Sequence, residues 1–209
     1  MRVLELSKES ISRAVEVLNS GGIVCFPTDT VYGLLTPALC KECVRRLYGL
    51  RRPSGRPFLV LLPDSSWLSE FGIFPSRFHL RLLQEPGLTL IFQKRGCKYG
   101  YISKKTIAVR IPSKSSEVYG LLKEFGEPLI APSANPEGQK TATDIKEAID
   151  YFKSSIELYV DGGSRKGSAS TIVRVIGLYG LKVLREGALS KERLMEVYKG
   201  FIKKRPFGI

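Results

Sequence analysis

Apolar residues Ile11, Ala14, Val15 and Leu18 fall at i, i+3, i+4 and i+7, the stripe of an amphipathic helix, and Gly21-Gly22 supply a left-handed stop. The pattern then changes. Ile23-Val24-Cys25-Phe26 is a short unbroken apolar run, which predicts a buried strand. It leads into the polar loop Pro27-Thr28-Asp29-Thr30-Val31-Tyr32-Gly33, too rich in hydroxyls for a plain connector. Residues 38–48 read as a helix, and the prolines and glycine of Arg51-Arg52-Pro53-Ser54-Gly55-Arg56-Pro57 forbid regular structure after it. Strands are predicted at 58–62, at 88–92 and, by alternation, at 106–111, with a helix over 115–125.

The second half continues in this style without repeating the sequence. Leu129-Ile130-Ala131 predicts a short strand opening into Pro132-Ser133-Ala134-Asn135-Pro136-Glu137-Gly138. Thr143 or Asp144 can cap a helix whose apolar face is Ile145, Ala148, Ile149 and Phe152. Strands are predicted at 157–160, 169–175 and 181–185. A last helix from Lys191 buries Leu194, Val197, Tyr198 and Phe201 before the basic tail Lys203-Lys204-Arg205-Pro206. No linker or shift of composition divides the chain, so the expectation is one α/β domain over residues 1–209 with mixed strand directions.

Charge sharpens this picture. The chain carries 33 Lys and Arg against 20 Asp and Glu, a net charge of +13. An apolar fraction of 43% is enough to fill a core and argues against a disordered basic tail. No apolar run approaches the ~20 residues needed to cross a bilayer, and the charged N-terminus does not resemble a signal peptide. The expectation is a soluble, cytoplasmic protein, with no membrane association, whose partner is polyanionic: a nucleic acid or the phosphates of a nucleotide.

Several signatures fail. Gly162-Gly163-Ser164-Arg165-Lys166-Gly167-Ser168 resembles a P-loop but has Ser168 where the lysine belongs. There is no G-x-G-x-x-G after a strand and no G-x-S-x-G elbow. His79, the one histidine, sits among Phe78, Leu80 and Arg81 as a surface or partly buried residue rather than a general base. Cys40 and Cys43 have the spacing of half a zinc site or of a redox pair. No second C-x-x-C follows, and a structural role on one helix face is the favoured reading. What remains is a set of hydroxyl- and arginine-bearing loops at the ends of short apolar strands, where open α/β sheets bind ligands. Taken singly, each is ordinary turn chemistry; their joint occurrence is the informative feature.

That joint pattern resembles the YrdC-like family. The segments are Pro27-Thr28-Asp29-Thr30-Val31-Tyr32-Gly33-Leu34, Arg52-Pro53, Ala108-Val109-Arg110-Ile111-Pro112, Ala131-Pro132-Ser133-Ala134-Asn135, Ser170-Thr171-Ile172-Val173 and Leu184-Arg185-Glu186-Gly187-Ala188. The resemblance covers about residues 10–190, in the single-domain form. It implies an open, twisted mixed sheet flanked by helices, with a large concave basic cavity. The implied activity is synthesis of threonylcarbamoyl-AMP from L-threonine, bicarbonate or CO2, and ATP, with magnesium accompanying ATP and pyrophosphate released. The product would pass to a downstream tRNA threonylcarbamoyl transferase for N6-threonylcarbamoyladenosine formation at position 37 of tRNA. By the same resemblance, Thr30, Arg110, Ala131 and Ser170 line the threonine pocket, with Arg110 on the carboxylate. Arg51, Arg52, Arg56, Thr106, Ser133, Asn135, Thr141 and Arg185 face ATP. No side-chain nucleophile and no protein-held metal are implied.

The chain departs from the family pattern on the ATP side. The lysine of a Lys-x-Arg motif is replaced by Leu50 or Arg51, according to alignment. Arg56-Pro57-Phe58 stands for Asn-Pro-Leu, Leu61 for a histidine, and Glu85-Pro86-Gly87-Leu88-Thr89 for a Trp-Pro-Gly-Pro-Leu-Thr segment. Two alternatives follow: a paralogue with altered nucleotide chemistry, or a non-catalytic module contacting tRNA or double-stranded RNA, or a ribosome. The second draws on Phe92-Gln93-Lys94-Arg95 and Lys98-Tyr99-Gly100-Tyr101, where aromatics among cations could stack on bases.

Overall fold

The computed structural model describes residues 2–51, 54–96 and 98–203. Its frame is a ten-stranded sheet built from β1 (Arg2–Glu5), β2 (Val24–Pro27), β3 (Tyr32–Pro37), β4 (Leu59–Leu61), β5 (Leu88–Gln93), β6 (Thr106–Arg110), β7 (Leu129–Ile130), β8 (Leu158–Asp161), β9 (Thr171–Ile176) and β10 (Gly180–Arg185). The spatial order is β1-β8-β2-β3-β7-β4-β6-β5-β9-β10. Parallel pairs (β1–β8, β2–β8, β4–β6, β5–β9) mix with antiparallel ones (β2–β3, β3–β7, β4–β7, β5–β6, β9–β10). The helices are α1 (Lys8–Asn19), α2 (Lys41–Arg51), α3 (Arg77–Leu82), α4 (Glu117–Phe125), α5 (Ile145–Phe152) and α6 (Lys191–Lys203).

The central strands are covered on both faces, which explains their unbroken apolar runs. In β2, Val24 and Phe26 point into a core shared with Ala14 and Leu18 of α1 and Leu121 and Leu122 of α4. Ile23 and Cys25 point the other way, into the core holding Val44 and Leu47 of α2. α1 begins with a capping box in which Ser7 and Ser10 exchange backbone and side-chain bonds. α5 is capped by Asp144, whose carboxylate accepts from the Glu147 N–H at 2.9 Å. No helix among the described residues is long and apolar enough to cross a membrane.

Five sequence expectations change. β1 was not expected: it is a short, largely exposed edge strand without an apolar period. β3 lies where a loop running to Gly33 was expected, because a hairpin turn at residues 28–31 returns the chain at once into a strand buried along its whole length. α3 and the 3-10 segment Ser65–Phe71 were also unassigned. His79 is 3% exposed, deeper than a surface or partly buried site; its Nδ1 accepts from the Ser76 N–H at 3.2 Å and closes the cap of α3. Finally, Cys40 and Cys43 do not share one helix face. Cys40 precedes α2, and the two sulfurs are joined in a disulfide.

Candidate functional site

Thr28 builds the first wall of the site. Its hydroxyl donates to the Val31 carbonyl at 2.6 Å and accepts from the Thr30 and Val31 N–H groups, at 3.2 and 3.3 Å. This side chain-to-backbone stitching makes the β2–β3 turn tight and sets Asp29 and Thr30 beside the end of β6. There Arg110 Nη1 donates to Thr30 Oγ1 at 3.2 Å, and Nη2 lies 3.1 Å from Asp29 Oδ1. The Arg110 and Asp29 side chains are 3% and 4% exposed. Burial pulls the guanidinium pKa below its ordinary value; Asp29 opposes that shift and the Arg185 cation adds to it. Among the described residues, Arg110 Nε and both Asp29 oxygens have no hydrogen-bond partner. A buried cation with an uncommitted donor beside a cavity is suited to an anionic ligand group.

The second wall is the loop after β7. Gly33 bridges to Ser133, the Leu34 N–H donates to the Pro132 carbonyl, and the Ala134 N–H donates to the Tyr32 carbonyl. A Cβ on Gly33 would lie 3.1 Å from Thr28 Cγ2 and 3.4 Å from the Pro132 oxygen, so only glycine lets the two loops approach without displacement. Arg51, at the end of α2, reaches this loop from behind. Its Nε donates to the Ser133 carbonyl at 2.9 Å, and Nη2 donates to Ser133 Oγ and Asn135 Oδ1, both at 3.3 Å. Asn135 Oδ1 also accepts from Ser133 Oγ (2.7 Å) and Thr141 Oγ1 (3.3 Å), while its amide donates to the Pro136 and Gln139 carbonyls.

The third wall comes from the chain entering β9. Ser170 Oγ and Thr89 Oγ1 are paired at 2.8 Å, and Arg185 forks onto the Ser170 carbonyl with Nε at 3.2 Å and Nη2 at 2.7 Å. The Tyr32 hydroxyl donates to the Gly163 carbonyl and accepts from the Gly162 N–H, pinning the segment that crosses above Thr30; burial pushes its pKa up to about 12.

These walls enclose a cavity of about 210 Å³. That volume is below the ~300–1,000 Å³ typical of sites for drug-sized ligands. All four residues expected to hold threonine, Thr30, Arg110, Ala131 and Ser170, line it, as do Ser133, Thr141 and Arg185. The other residues expected on ATP are placed differently. Arg51 and Asn135 are buried behind the Ser133 loop and do not line the cavity. Thr106 shares the face of Ala108 and Arg110 on β6 but lies one step outside the lining, and Arg56 is exposed next to the lining residue Pro57. Arg52 lies outside the described residues. Thr28, Asp29 and Thr89 were not singled out for the site. Asp29 and Thr28 stood inside the quoted loop, and Thr89 falls two residues before the lining residue Ile91 on one face of β5.

A family model described as Sua5_yciO_yrdC, telomere recombination, matches residues 16–187. The chain belongs to the Sua5/YciO/YrdC family. It is 31% identical over 205 residues to the threonylcarbamoyl-AMP synthase of Bacillus subtilis, covering 93% of this chain and 58% of that protein. Among solved structures, Sua5 of Pyrococcus abyssi complexed with L-threonine superposes with a TM-score of 0.83 at 28% identity, over 94% of this chain and 61% of that one. YciO of Escherichia coli superposes with a TM-score of 0.79 at 25% identity, over 92% and 98%. The chain thus spans about three fifths of the first two relatives and nearly all of YciO. The matched sheet is the Sua5/YciO/YrdC fold, mixed α/β and flanked by helices.

Proposed function

We propose that this Sua5/YciO/YrdC domain synthesises threonylcarbamoyl-AMP from L-threonine, bicarbonate or CO2, and ATP, a nucleotidyl transfer. The observation that carries the reading is Arg110: a guanidinium 3% exposed at a small cavity, oriented by Thr30 and Asp29, with Nε unpaired among the described residues. It suits the carboxylate of an amino acid, with the Thr89–Ser170 hydroxyl pair and Ser133 nearby for the polar remainder. Support comes from the named synthase of Bacillus subtilis and from the Pyrococcus abyssi structure with L-threonine.

The chemistry needs no side-chain nucleophile. The threonine amine adds to CO2, losing a proton to form a carbamate. A carbamate oxygen then attacks the α-phosphorus of ATP, the bond to the bridging oxygen breaks, and pyrophosphate leaves. The protein's part is to align the two substrates and meet the developing charge with fixed cations. In this reading Arg110 holds the carboxylate and Arg185 faces the phosphates at the cavity mouth. Magnesium would enter on the nucleotide as part of the substrate. The product would go to a tRNA threonylcarbamoyl transferase in the cytoplasm.

Pyrophosphate release from ATP tests this reading: it is expected to require both threonine and bicarbonate. Release indifferent to threonine, or none, overturns it. Threonine-independent release would support the paralogue reading, favoured by one observation: Arg51, which stands in the Lys-x-Arg region, holds the Ser133 loop instead of lining the cavity. In the clusters that the RNA-module reading draws on, Tyr99, Tyr101 and Lys94 have partners within the chain. The Tyr99 hydroxyl donates to Glu70 and its ring packs on Phe71, the Tyr101 hydroxyl donates to the Ala38 carbonyl, and Lys94 is buried with Nζ donating to the Lys98 and Ser103 carbonyls.

A further inference from the structure

The C-x-x-C motif plays no part in the cavity. It lies at the opposite end of α2 from Arg51, ~16 Å away at 1.5 Å per residue. Cys40 lies between β3 and α2, and Cys43 lies in the first turn of α2. The Cys40 carbonyl accepts the first helical bond from the Val44 N–H at 3.1 Å, and Cys40 Sγ accepts from the Cys43 N–H at 3.2 Å. Sulfur therefore occupies the N-cap position where a Ser or Asp oxygen usually sits, at the helix end that favours negative charge. Helix N-termini are positions that favour thiolates in general.

The two sulfurs are not equivalent. Cys40 is half-buried and reachable, whereas Cys43 is 7% exposed. Cys43 Sγ packs where Gly21 leaves room: a Cβ at Gly21, already at φ +79°, would sit 3.1 Å from it. Both cysteines border an open groove of about 710 Å³ with apolar walls from Leu18, Leu39 and Phe125, and with Glu42 and Arg46 also lining it. A reachable sulfur at a helix N-terminus, a shielded partner one turn on and an adjoining groove are the parts that thiol–disulfide exchange needs.

We propose that Cys40 and Cys43 form a redox-active pair that exchanges with external thiols and disulfides, through Cys40. In the oxidised protein an incoming thiolate attacks Cys40 Sγ, a mixed disulfide forms, and Cys43 Sγ leaves as a thiolate and takes up a proton. A second external thiol then attacks its partner sulfur and releases Cys40. Two electrons and two protons pass from two external thiols to the pair, and the external sulfurs leave as a disulfide. The reverse begins with the Cys40 thiolate attacking an external disulfide and ends with Cys43 resolving the mixed species. The shared ligand chemistry is a sulfur on a small thiol or on a Cys-bearing peptide segment seated in the groove.

The test uses the full chain with Cys97→Ser; Cys25 is fully buried. Reduced protein is mixed with glutathione disulfide in one arm and with a disulfide-linked peptide carrying apolar flanks in the other. It is then acid-quenched, alkylated and weighed by mass spectrometry. Both arms are expected to restore the Cys40–Cys43 disulfide, and Cys43→Ser is expected to accumulate a mixed disulfide on Cys40. A faster peptide arm identifies a protein segment as the natural source of sulfur, and a faster glutathione arm identifies a small thiol. Cys40 is also expected to react with iodoacetamide at pH 7 about fivefold or more faster than glutathione, from its larger thiolate fraction. A pair that stays reduced in both arms overturns the proposal. Faster mixed-disulfide formation in Cys40→Ser than in Cys43→Ser overturns the assignment of Cys40 as the reacting sulfur.

Discussion

Arg110 and Arg51 are both buried, both at the end of a regular element, and both bonded to a loop of the site. They nevertheless do different work. Arg110 reaches Thr30 and Asp29 from within the cavity wall and keeps a donor unpaired among the described residues. Arg51 approaches from outside the cavity and fixes the Ser133 carbonyl, the Ser133 hydroxyl and the Asn135 amide oxygen. One guanidinium lines the cavity, and the other holds the Ser133 loop from behind. Charge and burial do not separate the two roles; the side from which each approaches does.

Arg110→Ala breaks the comparison most severely. Loss of a charge-assisted bond of about 1.5–3 kcal/mol is expected to raise the threonine KM by roughly 10- to 100-fold. The ATP KM should change less than about threefold; equal effects on both would refute the assignment. The same variant leaves Asp29 buried without its cation, which costs about 3–5 kcal/mol. Adding Asp29→Asn is expected to recover part of the lost stability in a denaturant titration. Arg51→Ala is expected to cost about 1.5–3 kcal/mol and to raise both KM values by a similar factor, because it disturbs the loop and not one substrate. Arg51→Lys should restore little of this, since an ammonium cannot span the same carbonyl and amide oxygens. A selective loss of ATP binding in either variant would return Arg51 to direct nucleotide contact.

A smaller effect is expected at the third wall. A Cβ on Gly187 would lie 2.0 Å from the Ala169 carbonyl oxygen, so Gly187→Ala should cost about 1–3 kcal/mol by overpacking and displace the adjoining Ser170. The smallest effect lies away from the site. Burial lowers the His79 pKa below 6.5, so the unfolded chain binds the proton more readily. Stability should therefore fall as pH drops below about 6.5, towards the folded-state pKa. His79→Gln should flatten that part of the melting-temperature profile, and an unchanged slope would remove His79 as its source.

The fold was legible where packing imposes a period. Ile11, Ala14 and Leu18 announced α1, and the apolar run at 23–26 announced β2. β1 was not, because three of its four residues are exposed and its pairing with β8 depends on a partner 156 positions away. For the cavity, resemblance supplied Thr30, Arg110, Ala131 and Ser170, and the structure gathers all four. Asp29 is not legible in the sequence, because its carboxylate makes sense beside Thr30 only once Arg110 is seen against it. Arg51 was assigned to phosphate because a sequence carries no sign of which guanidinium turns back on its own chain.

The order of strands has a consequence for how the cavity comes into being. Thr30 follows β2, Arg110 ends β6, Ser133 follows β7 and Ser170 precedes β9, yet β2 lies between β8 and β3, and β9 pairs with β5. No early portion of the chain can assemble these walls on its own during synthesis, and pairings of such long sequence separation fold slowly. Occupancy of the cavity therefore registers completion of the whole sheet. A ligand at a hundred times its Kd would add about 2.7 kcal/mol to unfolding, shared by every strand from β2 to β9.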